Sequence, residues 1–455
     1  MTAAVGADDN TPRGSPMSAV SFHDYAKLDA AGRAALTRRS EADLSFFLDK
    51  VGPIIEAVKT EGDAALHRFA RDLDKSPVAP GALKASEAEF EAAFKAVDPK
   101  VIEAIRFGID NIRRFHEEQL PEPMWLKEIR PGAFAGDRVT PIRSVALYIP
   151  RGKGAFPSVT MMTAVPAVVA GVPDIAILTP PTPDGSVDAA TLVAARLAGV
   201  ATVYKVGGAQ AVAAAAFGTE TVKPAMKIVG PGSPWVVAAK RLLSGVIDAG
   251  LPAGPSEAII FADDTVHGGL AALDVLIEAE HGPDSSAYIV THSRRVVEEA
   301  LAALPEHWSR MTEQRVEFSR KVLTGAFGGI ILTDSVEQSI DFINAYAPEH
   351  LEILSTDPFS HLGRITEASE ILMGPYTPVS IANFGLGPNA VLPTSRWART
   401  WGPLSTHDFL KRSSVGYVTR PAYPAFADAA RTLARYEGFS SHEQAVTAVR
   451  DQYLP

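Results

Sequence analysis

From Ser144 to Tyr346 the chain alternates short apolar runs with helix-patterned segments, and this alternation constrains the fold more than any other feature. The runs are Ser144–Ile149, Ile175–Leu178, Ala201–Val206, Met226–Val229, Ala258–Phe261, Ala287–Thr291 and Gly329–Leu332. Between them lie helical patterns at Thr160–Ala170, Ala189–Ala198, Ala209–Phe217, Pro234–Leu243, Gly268–Glu280 and Ser335–Tyr346. Strand and helix in alternation is the pattern of βαβ units, whose strands pair in parallel. Six or seven such units exceed one small sheet. A chain of 455 residues also exceeds one core at ~150 residues per domain. The expected fold class is therefore α/β, with two Rossmann-like α/β domains.

The flanks read differently. Apolar residues recur at three- and four-residue spacing in Ser40–Glu61 and Ser86–Glu118, so the region from about Phe22 to Glu118 is expected to be helical. Residues 1–20, rich in Ala, Gly, Asp, Pro and Ser, read as a disordered tail. After Pro393 strand patterns thin out. Ala425–Arg435 reads as a helix broken at Gly438, and Ser441-His-Glu-Gln444 reads as a capping box that starts a last helix.

Composition narrows the chemistry. With no cysteine, the chain can form neither a disulfide, a thiolate zinc site nor a cysteine nucleophile. Any metal must be held by nitrogen and oxygen donors. The formal charge of -10 and the lack of a basic block argue against nucleic acid and anionic membrane as partners. No apolar run reaches 18 residues, and the N-terminus lacks the charged and apolar regions of a secretory signal, so the expected compartment is the cytoplasm.

Several short motifs carry chemical potential. Glu278 and His281, three apart at a helix end, share one face and can ligate a metal; a solvated helix end has the same pattern. Glu349 and His350 follow Pro348 and set a carboxylate beside an imidazole, the usual general-base pair, or else a surface loop dipeptide. Pro150–Ser158 offers glycines, Arg151 and Lys153 after a strand, with Ser158 as a helix cap; an anion cradle and a flexible basic turn fit it equally. Gly207-Gly-Ala-Gln210 and Gly230-Pro-Gly-Ser233 are glycine turns at strand ends, which suggest a nucleotide crevice although no GxGxxG occurs. Loops at Pro252–Glu257 and Asn383–Asn389 and the stretch Arg435–His442 add polar groups.

Taken in order, the strings VGGAQA, KIVGPG, PAGPSE, EAEHGPD, APEHLEI, GPYTP, NAVLPT, DFLKRSSV and EGFSSHEQAV resemble the histidinol dehydrogenase family, from about residue 40 to 450. The resemblance implies a zinc- and NAD-dependent homodimeric enzyme. Its members oxidise an amino alcohol through an aldehyde to an acid in two hydride transfers. The C-terminal tail of one chain completes the other's site. Four segments follow from it: the tail to residue 20, a first α/β domain from 21–142 with 256–404, an NAD-binding α/β domain at 143–255, and a helical dimerisation tail at 405–455.

By resemblance His350 is the general base and Glu349 the acid that activates water in the second half-reaction. Glu278, His281, Asn383 and His442 occupy the zinc-ligand positions, Ser256, Glu437 and Ala390 the substrate positions, and Tyr148, Gln210 and Ser233 the cofactor positions. Several of these depart from the family pattern. Glu278 stands where Gln is usual, Asn383 where Asp is usual, Ala390 where a substrate-binding His is usual, Phe384 where Tyr is usual and Ser233 where Asn is usual. YVPGG has become YIPRGKG. The first two changes offset in charge, so the metal shell reads as rearranged rather than lost. Loss of an imidazole at 390 points to an alcohol other than L-histidinol. Two alternatives follow: a non-catalytic paralogue that binds a small ligand, and a dehydrogenase that uses the Glu278 carboxylate without metal.

Overall fold

The computed structural model describes residues 20–39, 44–151 and 154–454. The expected tail lies almost wholly outside these residues, as do Ser40 and Lys153. In chain order the strands are β1 (Phe22–Asp24), β2 (Met124–Arg130), β3 (Ala133–Pro141), β4 (Ser144–Tyr148), β5 (Asp174–Thr179), β6 (Thr202–Lys205), β7 (Lys227–Val229), β8 (Glu257–Ala262), β9 (Ser286–Thr291), β10 (Gly328–Leu332), β11 (His350–Leu354), β12 (Glu370–Met373) and β13 (Leu410–Val418). The chain divides into two compact units: Met1–Gln119 with Arg143–Asp408, and Leu120–Ile142 with Phe409–Pro455.

The first unit contains two parallel sheets, and the chain is a mixed α/β protein as the alternation implies. One sheet has four strands in the order β6-β5-β4-β7, and the other has six in the order β1-β10-β9-β8-β11-β12. Strands β8 to β11 are buried along their whole length, which is why they read as unbroken apolar runs. Helices cover them: Gly268–Ala279 and Arg294–Ser309 pack together, and Val336–Tyr346 brings Phe342 and Tyr346 against Tyr288. The N-terminal region is helical at Ala30–Leu36, Ser45–Glu61, Asp63–Asp72, Glu87–Ala96 and Pro99–Glu118. Ser86 and Glu89 form a reciprocal capping box at the fourth of these.

Some expectations require correction. Phe22–Asp24 is a strand, not helix: it pairs in parallel with β10, Phe22 opposite Ile330. Three residues carry no periodicity, and the sheet edge supplies the partner. Strands β11 and β12 also extend the sheet where the alternation gave no run. Ser158 does not cap its helix; Pro157–Val169 starts after Phe156 with no side-chain cap.

Glu352 in β11 is a carboxyl group in the middle of this core, with no exposed surface. Burial, with the neighbouring Asp274 carboxylate, pushes it up to about 10 from an ordinary 4.5. The folded chain thus holds a proton that the unfolded chain releases above its ordinary value. The stability contributed by this group is complete below pH 4.5 and is lost as pH rises towards 10. Glu352→Gln, which cannot ionise, is expected to flatten the fall of Tm across that range; an unchanged slope in calorimetry contradicts this.

The second unit is a three-stranded antiparallel sheet, β13-β3-β2, followed by the helix Tyr423–Tyr436. The nine-residue β13 corrects the expectation of a purely helical end. Leu410–Val418 is largely exposed and mixes charges with a glycine, so it lacks the core signal that marks a parallel strand. Gly438 has φ of +79° and ends the helix as expected. The Ser441–Gln444 capping box is not formed: Ser441 lies inside the short helix Ser440–Gln444, whose cap is Phe439 with no side-chain bond.

Candidate active site

The candidate acid–base pair is set by the way one helix ends. Ala347 takes a left-handed conformation, φ +55°, at the C-cap of Val336–Tyr346. Pro348 follows, and the chain enters β11 at His350. Glu349 and His350 are thereby buried, not displayed on a loop. Their neighbours lie at the starts of adjacent strands: His350 pairs in register with Ala258, the second residue of β8, and with Glu370, the first of β12. The site thus lies at the amino ends of these strands. The helix Gly268–Ala279, returning from the far end of β8, delivers Glu278 and His281 at its C-terminal end.

His350 Nε2 is 3.8 Å from Glu349 Oε1, and its Nδ1 is 2.6 Å from Glu370 Oε2. Burial disfavours the charged ring, but Glu278, Glu349 and Glu370 outweigh it and push His350 up to about 10. Glu349 Oε2 accepts a bond from the Glu257 backbone N–H, 2.8 Å. Burial, reinforced by Glu278 and opposed by His350, holds Glu349 well above the usual carboxylate range. Glu257 in turn takes Arg39 Nε at 2.7 Å and the Ser395 N–H at 2.8 Å, with Arg39 stacked 3.5 Å from the Tyr346 ring centre. These contacts tie the start of β8 to the helix end before Glu349.

Glu278, buried, meets Asn383 and His281. Asn383 Nδ2 donates to Glu278 Oε1, 3.3 Å, from the π-helical turn Ala382–Leu386. His281 Nδ1 lies 3.2 Å from Glu278 Oε2 and 2.9 Å from the Ile277 carbonyl, which leaves Nε2 as the ring's free donor atom when Nδ1 carries the proton. Burial works against the Glu278 charge, but His281, His350 and bonds from Ser256 and Asn383 hold it below the ordinary value. Ser256 is thus at the same carboxylate.

Among the described residues no group of three or more histidine and carboxylate side chains converges as a metal cage. The donors drawn together are one carboxylate, one imidazole and one amide. Asn383 Oδ1 is buried with no hydrogen-bond partner among the described residues, as expected of an oxygen reserved for a cation. This donor set fits a divalent ion of borderline softness. Ala390 follows Asn389, whose amide donates to the Met162 carbonyl at 2.6 Å and pins the loop. Glu437 and His442 are exposed in the second unit, His442 edge-on to Phe439.

The four-stranded sheet changes direction of growth between β4 and β7, the place where open α/β sheets bind ligands at strand carboxyl ends. Tyr148 ends β4 there, and its hydroxyl accepts the Gly208 N–H, 3.1 Å. Burial, with Asp74 near, pushes that hydroxyl up to about 12. Gly230, φ +118°, comes so close that a Cβ would stand 2.1 Å from the Tyr148 carbonyl oxygen. Ser233 caps the helix Pro234–Leu243 through its backbone alone. Gln210, buried, donates to Asp74 Oδ2, 3.2 Å. Arg151 is held on the Pro181 carbonyl.

Sequence reading misses Glu370, Glu257 and Asp74. Glu370 and Asp74 are lone acids with no motif around them. Only Glu257, beside Ser256 in PAGPSE, has a neighbouring signal; Glu370 becomes visible once β12 is registered on β11.

A buried imidazole between carboxylates, beside an oxygen- and nitrogen-donor cluster on a parallel α/β scaffold, is the equipment of an acid–base enzyme. The histidinol dehydrogenase family model matches residues 37–450. "Histidinol dehydrogenase homolog 2" of Mesorhizobium japonicum is 77% identical over 438 residues, 96% of this chain and 100% of that protein. Histidinol dehydrogenase of Synechocystis is 50% identical, covering 90% of this chain and 94% of its own. The crystal structure of histidinol dehydrogenase from Elizabethkingia anophelis superposes with a TM-score of 0.90 at 30% identity, over 96% of this chain and 98% of that one. The chain belongs to the histidinol dehydrogenase family, a family of oxidoreductases. No helix among the described residues is long and apolar enough to cross a membrane.

Proposed function

We propose that this protein is a zinc- and NAD-dependent dehydrogenase. It oxidises a small polar amino or heterocyclic primary alcohol through the aldehyde to the carboxylic acid. L-histidinol to L-histidine is the nominal reaction. The observation that carries this reading is the buried Glu349–His350 pair beside the Glu278–Asn383 contact. A chain that only binds a ligand has no need of an acid and a base side by side in its core.

His350 takes the hydroxyl proton at Nε2 as hydride leaves the carbinol carbon for NAD. In the second half, Glu349 or His350 removes a proton from the water that hydrates the aldehyde, and the gem-diol gives a second hydride to a second NAD. Glu278, His281, Asn383 and His442 would hold zinc, which supplies Lewis acidity that orients and polarises the substrate's heteroatoms. Neutralising Glu278 in this way removes the largest attraction that keeps His350 protonated. Ser256, Ala390 and Glu437 border the substrate. Residues 143–255 take NAD, with Tyr148, Gln210 and Ser233 at the crevice. Helix N-termini at Gly208 and Pro234, each starting a ten-residue helix after a strand, suit a pyrophosphate.

Ala390 favours a second reading of the substrate, an alcohol outside histidine biosynthesis. A pocket that has exchanged imidazole for methyl offers one fewer polar contact, which costs about 1–3 kcal/mol for a substrate group left unpaired. The enzyme works in the cytoplasm as a homodimer in which His442 and Glu437 serve the neighbouring chain's site; a monomer mass in sedimentation would reject that arrangement. NADH formation across L-histidinol, other amino alcohols and other polar primary alcohols tests the function. Turnover of at least one is expected, and none with metal-replete protein contradicts it.

A further inference from the structure

We propose that Glu370 is the positioning residue for His350: its carboxylate fixes the proton on Nδ1 and so presents Nε2 to the reacting centre. The inference deepens the general-base reading and rests on it. The geometry has three parts. Nδ1 of His350 and Oε2 of Glu370 are 2.6 Å apart, in the range of a charge-assisted bond. Both side chains are only 4% exposed, so water does not compete for either atom. The backbone register sets the pair: His350 and Glu370 are directly opposite each other as the first residues of β11 and β12, which places both Cβ atoms on one side of the parallel ladder.

The backbone on both sides is also tied at this point. The Glu370 N–H donates to the Glu349 carbonyl at 3.1 Å, and the Ser369 N–H to the Pro348 carbonyl at 3.1 Å. The strand that carries the carboxylate is therefore anchored to the residues that carry the acid and the base. A neutral imidazole has one N–H and one lone pair. With Nδ1–H committed to Glu370, the lone pair is on Nε2, the nitrogen facing Glu349 at 3.8 Å. Without Glu370 the ring could carry its proton on either nitrogen or turn over, and in half of those arrangements Nε2 could not accept a proton. A carboxylate that orients a catalytic imidazole through its second nitrogen does the same in other acid–base sites. Glu370 itself touches no reacting atom.

The test is nitrogen NMR of the full-length protein with 15N-labelled histidine rings, the His350 signals being assigned by their loss in His350→Asn. In the wild type, His350 Nδ1 is expected to show a bonded, slowly exchanging N–H. Glu370→Leu removes the acceptor and should abolish that protected signal. Glu370→Gln keeps an oxygen acceptor in the same place and should retain it, with the proton resonance moved upfield by the loss of charge. A protected Nδ1–H that persists in Glu370→Leu overturns the proposal, as does its absence from the wild type. If Glu370→Leu does not fold, loss of the signal in the isosteric Glu370→Gln overturns it too, because geometry alone should suffice to hold the tautomer. None of these readings depends on turnover, so failure of the general-base assignment would be seen separately in the activity of His350 variants.

Discussion

His350→Ala is expected to lower turnover by about two to four decades while NAD binding stays within a small factor of wild type. The His350 imidazole is the group assigned to take the hydroxyl proton, and burial holds the adjacent Glu349 well above the usual carboxylate range. The same substitution should change the pH profile. Glu278, Glu349 and Glu370 favour the protonated ring, which cannot accept a proton, and a cation on Glu278 would lessen that pull. Turnover of the wild type should rise as pH increases and the ring deprotonates. The variant should lose that rise together with the rate. Steady-state kinetics from neutral to alkaline pH, with NAD affinity from fluorescence titration, checks both parts. Near-normal turnover in His350→Ala would remove the base assignment.

His281→Ala is expected to lose bound divalent metal and activity together. The helix end gives the ion few donors: one carboxylate oxygen, one imidazole nitrogen and the otherwise unpartnered Asn383 oxygen. Removing one of so few donors should weaken metal affinity by well over the 10–100-fold typical of an outer-shell change. Asn383→Asp should act differently. It replaces an amide with a second carboxylate, retains the metal, and makes it a weaker Lewis acid, so substrate preference shifts while metal content does not. Elemental analysis of protein purified without chelators distinguishes the two variants. Full activity of His281→Ala after chelation would point instead to the Glu278 carboxylate acting without metal.

Much of the fold is legible in the sequence because parallel strands buried on both faces leave unbroken apolar runs, as in Ser286–Thr291 and Gly328–Leu332. What escapes is structure that depends on a partner. Phe22–Asp24 is a strand only because β10 offers an open edge. The antiparallel strands β2 and β13 are largely exposed and β3 is half-buried, and their mixed residues give a pattern that does not separate from loop. At the candidate site, adjacency along the chain makes Glu349–His350 and Glu278–His281 visible. Glu370 and Glu257 are 20 and 93 residues from His350, and only the register of β8, β11 and β12 brings them to it. Burial is equally silent in sequence: Ala347-Pro-Glu-His350 reads as well as a surface loop as a core strand entry, and the left-handed turn at Ala347 decides between them.

The most direct measurement of the central claim is the number of NADH formed per alcohol consumed, followed with identification of the product. A single site that uses His350 and Glu349 in succession predicts two NADH per alcohol and a carboxylic acid, with Glu349→Gln stopping at one NADH and releasing aldehyde. One NADH per alcohol in the wild type, with aldehyde as its final product, would contradict the proposed two-step chemistry.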